Sequence, residues 1–221
     1  MSVIALMLTA CTSNSEEGQT SQVNNELISQ GKEFASIHND CLSSIYQYLI
    51  SHKTRSVSES LENSTVKAAN LYILKHLSPT RSDTTLAYLK LEDYTKSIEE
   101  IRSEMSPEEL FYIDKFISNT NDGDKILEDI TKDNKLTEIQ KRAVICFITT
   151  YNASHEYWQQ NLEEWRNKIG GSPAFKKFRF NWKDVIFADA YWGFEGLRSS
   201  GFNGLVGAGS AALGSAFACL K

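Results

Sequence analysis

Residues 137–168 read TEIQKRAVICFITTYNASHEYWQQNLEEWRNK. Within them Ile139, Ala143, Phe147, Tyr151, Ser154, Trp158, Leu162 and Trp165 recur at spacings of three and four, which places them along one seam of an α-helix. Thr137 begins this helix and Gly170-Gly171-Ser172-Pro173 ends it, because glycine accepts the left-handed conformation at a helix C-terminus and proline cannot continue the ladder. A helix of this length organises a bundle, and the remaining segments read as its partners.

Working outward, the chain carries only three prolines, Pro79, Pro107 and Pro173, so long helices are allowed between them. From Asn24 to Ser51, Leu27, Ile28, Phe34, Ala35, Leu42, Ile45 and Leu49 share one helical face. A second helix is expected near Ser64–Leu77, and a third over Thr84–Met105 with Leu91, Tyr94, Ile98, Ile101 and Met105 on one stripe. Ser106-Pro107-Glu108-Glu109 is a start signal, with Ser at the N-cap, Pro at the first position and Glu at the third, and a helix follows to about Ser118. Asn119-Thr120-Asn121-Asp122-Gly123 is a turn. It is not read as a calcium loop: aligned on Gly123, the positions that need acidic ligands hold Ser118 and Thr120, and Asp129 stands where a bidentate glutamate belongs. Asn181 can cap a further helix through Arg198. No period-two strand is found, so the expected class is all-α, a single antiparallel multi-helix bundle with short connections.

Beyond Ala188 the composition changes, with Gly193, Gly196, Gly201, Gly204, Gly207, Gly209 and Gly214 set among alanine and serine. Glycine inside a helix costs about 1 kcal/mol relative to alanine, so this density needs a reason such as close helix packing. As a helix, residues 204–220 carry a small stripe of Gly207, Ala211, Gly214 and Ala218, with Val206, Leu213, Phe217 and Leu220 beside it and Ala208, Ala212, Ser215 and Cys219 as a third row. No charge falls between Arg198 and Lys221, so the helix must be buried in protein or in lipid. At 1.5 Å per residue it spans roughly 25 Å, short of the ~30 Å hydrocarbon core. A tightly packed hairpin with the preceding helix is expected, against a conditional membrane-active tail.

The N-terminus reads Met1-Ser2-Val3-Ile4-Ala5-Leu6-Met7-Leu8-Thr9-Ala10-Cys11 and looks like a lipoprotein signal whose Cys11 becomes the acylated first residue of the mature chain. The basic n-region is missing, which is expected if the natural start lies further upstream. Thr12 to Asn25 fits a solvated tether, and Glu16-Glu17 resembles the acidic export signal of some surface-exposed lipoproteins. More than one acyl chain on Cys11 would give stable attachment. The expected divisions are a signal peptide over 1–10, a tether over 11–23, a bundle over 24–200 and the Gly/Ala-rich segment over 201–221.

A formal charge of −5 and a pI near 5.5 argue against nucleic acid, whose binders are basic. One basic spot departs from this. Lys176, Lys177, Arg179 and Lys183 interleave with Phe175, Phe178, Phe180 and Trp182, either for phospholipid head groups or an acidic partner, or as a loop with packed aromatics and solvated lysines. Cys41, Cys146 and Cys219 allow three different single disulfides, but the apolar stretches around Cys146 and Cys219 favour free, buried thiols.

The candidate polar positions are few. His38 lies on an apolar stripe, three residues after Ala35 and four before Leu42, as a buried histidine bonded to a carboxylate or backbone, or as an acid/base or ligand. Asp189 shares a stripe with Gly193 and Gly196, and a carboxylate there needs hydrogen-bond donors. Ser154 and His155 point about 100° apart on a helix and form no dyad. His155 and Glu156 make no zinc motif because Gln159 stands four residues on, and His52 and His76 are isolated, so neither metal nor cofactor is expected. A pocket gathering His38, Asp189 and another polar group would favour catalysis, and a dry contact among them would oppose it.

Three features together resemble an uncharacterised group of Bacteroidota lipoproteins: His38-Asn39 on the opening helix, Ser154, Tyr157 and Trp158 late in the long helix, and Asp189 followed by Gly193, Gly196 and the Gly/Ala tail. The resemblance implies export and a helical fold and supplies no catalytic roles. The functional expectation is an exported, outer-membrane lipoprotein facing the periplasm or the surface. It would meet the membrane through palmitate on Cys11 and bind or support an unidentified protein or envelope partner. The alternative is a bacteriocin-like antagonist with a membrane-active glycine-rich C-terminus.

Overall fold

The structure, a computed structural model, describes residues 16–52, 60–77, 89–170, 181–201 and 203–220. Cys11, the signal peptide and the basic-aromatic stretch from Phe175 to Phe180 lie outside the described residues. Within them the chain forms α1 (Glu16–His52), α2 (Leu61–Leu77), a 3₁₀ turn (Leu91–Thr95), α3 (Ile98–Ser103), α4 (Pro107–Ser118), a second 3₁₀ turn (Thr120–Asp122), α5 (Gly123–Lys132), α6 (Glu138–Trp165), α7 (Trp182–Ser199) and α8 (Gly204–Leu220). The fold is all-α, and the helices pack together as a bundle.

Local chemistry sets most boundaries. Thr137 caps α6, its hydroxyl accepting from the Gln140 amide while the Gln140 side chain accepts from Thr137. Ser106 and Glu109 close a reciprocal capping box at α4, with Pro107 at the first position. Asn181 caps α7 by accepting from the Lys183 amide. α6 ends not in a simple stop but in a π turn over Arg166–Gly170.

Three boundaries differ from the sequence expectation. α1 opens at Glu16, so residues 16–23 of the expected tether are helical. The helix expected over Thr84–Met105 is instead, within the described residues, a 3₁₀ turn and the short α3. Ser97 breaks it, because its side chain and that of Glu100 form a capping box that starts a new helix. α5 was not foreseen; Ile126, Leu127 and Ile130 give it a buried face.

The bundle is also not antiparallel throughout. Gly31 lies against Ile145 and Thr149, Asn39 bonds the Ala153 carbonyl and Tyr46 bonds Glu164, so α1 and α6 run in the same direction. The smaller helices α2 to α5 carry the chain back between them. Phe147 packs on Tyr191 and Tyr151 on Phe187, which makes α7 antiparallel to α6. α8 turns back on α7.

The core follows the predicted seams. Ala143, Phe147, Ser154, Trp158 and Trp165 of α6 are buried, and Leu27, Phe34, Ala35, Leu42, Ile45 and Leu49 of α1 with them. Ile139 departs from its seam: on the first turn of α6 it is 58% exposed. Cys41, Cys146 and Cys219 are buried free thiols, and burial pushes the Cys146 thiol up to about 12.

Candidate functional site

The α7–α8 hairpin sets the geometry at the centre. A methyl on Gly196 would meet the Ser210 Cβ at 2.3 Å, and one on Gly214 the Trp192 Cδ1 at 2.7 Å and the Ala188 carbonyl at 2.9 Å. A methyl on Gly193 would lie 3.1 Å from the Ala211 Cβ, and one on Gly207 at 3.0 Å from both the Leu197 backbone nitrogen and the Phe34 ring. The glycines thus let two backbones approach closely, as their spacing predicts, and α8 also rests on α1 and α2.

That approach brings one polar side chain from each of α1, α6, α7 and α8 to a single point. His38, Ser154, Asp189 and Ser215 are each 0% exposed. Asp189 Oδ2 accepts hydrogen bonds from Ser154 Oγ and, at 2.9 Å, from Ser215 Oγ. Trp158 Nε1 donates to Ser215 Oγ at 2.7 Å, extending the chain of donors. On the other side, His38 Nε2 faces Asp189 Oδ1 at 3.3 Å. The two atoms are close enough to attract but are not aligned as a hydrogen bond, and each lacks any other partner among the described residues.

Asn39 settles the histidine tautomer. Its Nδ2 donates to the Ala153 carbonyl at 3.2 Å, which leaves Oδ1 to accept from His38 Nδ1 at 2.9 Å. Nδ1 therefore carries a hydrogen. Both hydroxyls at Oδ2 act as donors, so that oxygen accepts twice.

His38, Asn39, Ser154, Trp158 and Asp189 from the sequence set are thus brought together. Tyr157 stands beside them on α6, accepting from Trp165 Nε1 at 3.1 Å, and burial pushes its hydroxyl up to about 12. Gly193 and Gly196 serve the helix contact rather than the polar group. Ser215 was overlooked; its signal was a hydroxyl on a helix nonpolar all round, which must find a partner. Chemically, the serines and the histidine all address the aspartate and not each other, so no hydroxyl is set against the imidazole. The four side chains are closed off from bulk solvent. His155 is exposed, 3.4 Å from Gln159 Nε2 and with its ring centroid 5.4 Å from that of Trp182.

Open space lies on another face. A cleft of about 920 Å³ runs between the Leu91–Thr95 turn with α3 and the α7–α8 hairpin, with α4 at its end. Tyr94, Phe187, Tyr191, Trp192 and Phe217 line it, over a floor of Ala188, Gly214 and Ala218. Arg102 enters it, donating to the Tyr191 hydroxyl and to both Asp114 oxygens at 2.9 and 3.1 Å. Lys96 donates to Glu195 at 2.7 Å and Glu104 at 3.0 Å, and these bonds hold its ammonium above the usual lysine range. No sequence motif marked this cleft, because its walls come from segments far apart in the chain. Among the described residues no group of histidine, cysteine and acidic side chains is arranged to hold a metal ion. The chain matches no protein-family model, no curated protein and no solved structure.

Proposed function

We propose that this is an exported helical binding protein, held at the outer membrane by acylated Cys11, acting by binding rather than by chemistry. The observation that carries the reading is a contrast. Among the described residues, the cluster of His38, Asp189, Ser154 and Ser215 is sealed at 0% exposure, whereas the partly exposed rings of Tyr94, Phe187 and Phe217 and the exposed charges of Glu99, Lys183 and Asp184 line a cleft of about 920 Å³, within the usual range of ligand sites, roughly 300–1,000 Å³. The anchor is supported by Leu8-Thr9-Ala10-Cys11 and by the polar residues that follow. Palmitate labelling with membrane fractionation of the full-length gene tests it: the native chain is expected in the labelled membrane fraction and Cys11→Ala in neither. A Cys11→Ala chain that stays acylated and membrane-bound would overturn the anchor.

A membrane-active antagonist is the second reading, and the observation in its favour is that α8 carries no charge. No helix among the described residues is long and apolar enough to cross a membrane. The interlocked glycines support α8 as a fixed part of the bundle.

A further inference from the structure

The charges around the cleft can be followed partner by partner. Lys96 is taken up by Glu195 and Glu104, and Arg102 by Asp114 and the Tyr191 hydroxyl. Glu99 and Asp184 line the cleft on exposed positions, and neither has a basic partner among the described residues. Among the described residues that line the cleft, the charges left without an ion-pair partner are two carboxylates, Glu99 and Asp184, and one base, Lys183.

The aromatic wall already holds cations at two of its rings. The Arg102 guanidinium lies 5.8 Å from the Tyr191 ring centroid, and the Lys183 ammonium 5.9 Å from that of Phe187. The other three rings form a group, Tyr94 to Trp192 at 4.7 Å and Tyr94 to Phe217 at 5.4 Å, and among the described residues no lysine or arginine lies over them. Tyr94 and Phe217 are partly exposed, with Trp192 9% exposed beside them, and the attraction of a cation to an aromatic face grows where the wall excludes water. The apolar floor of Ala188, Gly214 and Ala218 supplies that exclusion.

We infer that the cleft binds an organic cation, a quaternary or protonated amine on a compact apolar body, over Tyr94, Trp192 and Phe217 with Glu99 and Asp184 at the rim. An anion would meet the surplus of carboxylates, and a neutral body would forgo both the ring faces and the rim charge. The inference rests on the reading of the cleft as the binding face and adds the class of its ligand.

The test uses three probes of one shape and different charge: choline, 3,3-dimethylbutan-1-ol and 3,3-dimethylbutanoate. They are titrated into the full chain with the Trp192 indole N–H followed by NMR. Choline is expected to shift that signal and to bind about tenfold tighter than the neutral alcohol, with the carboxylate weakest. In the Glu99→Gln/Asp184→Asn variant, both changes on exposed positions, most of that preference is expected to vanish. Equal binding of the alcohol, or a preference unchanged in the variant, overturns the cation inference and leaves the binding reading standing. Silence with all three probes also overturns it. If a mixed library of small neutral and charged fragments then leaves the Trp192 signal unmoved, the binding reading falls as well.

Discussion

Asp189 brings a carboxylate into a place without water, and its two oxygens are met differently: Oδ2 by two hydroxyls, Oδ1 by an imidazole at 3.3 Å. Removing one hydroxyl leaves the charge short of a donor. Ser154→Ala and Ser215→Ala are each expected to lower stability by about 1–3 kcal/mol, read from urea unfolding followed by far-UV circular dichroism. Either change without effect would mean that its hydroxyl does not serve the carboxylate. His38 and Asp189 were legible in sequence because each is polar on an otherwise apolar stripe. Their partners were not, since Ser154 stands 35 residues from Asp189 and nothing local records which serine meets which acid.

At the scale of the element, the α7–α8 hairpin turns on where a methyl group fits. Gly196→Ala and Gly214→Ala drive a Cβ to 2.3 Å from Ser210 and 2.7 Å from Trp192, and neither backbone can give way alone. The overpacking, about 1–3 kcal/mol, exceeds the gain of up to about 1 kcal/mol in helix propensity, so both variants are expected to melt lower. Gly204→Ala is the control: its Cβ would come no closer than 3.9 Å to Phe34, and its melting temperature is expected to stay near that of the native chain. Deleting residues 201–221 should abolish cooperative unfolding and leave liposome leakage unchanged. Leakage that depends on this segment while the remaining bundle stays folded would favour the membrane-active reading. The bounds of α7 and α8 could be read from Asn181 and from the charge-free run, whereas α3 was misread because an unbroken apolar stripe masked the capping box at Ser97 and Glu100.

For the molecule as a whole, the all-α class was legible from the periodicity, but the shared direction of α1 and α6 was not, because it depends on how the short helices return the chain. Buried ionisable groups tie the whole fold to pH. Burial raises the Cys146 thiol from 9.0 to about 12 and the Tyr157 hydroxyl from 10.0 to about 12. Both values lie above those of the unfolded chain, so their contribution is complete below about pH 9 and is lost as pH rises through about 12. Alkaline titration should show tyrosinate absorbance for Tyr157 appearing together with loss of circular dichroism, and a Tyr157→Phe variant should lack that part of the absorbance change. Ionisation of Tyr157 near pH 10 in a chain that stays folded would contradict this.

The point where α1, α6, α7 and α8 meet is the central structural claim, and a double-mutant cycle on His38 and Asp189 tests it most directly. His38→Leu alone leaves the buried Asp189 carboxyl without its counterpart and is expected to cost about 3–5 kcal/mol, whereas His38→Leu/Asp189→Asn, which removes both ionisable groups at similar volume, should recover most of the loss. Single variants that keep native stability while losing ligand or partner binding would contradict the account, because the cluster would then serve a function rather than the fold.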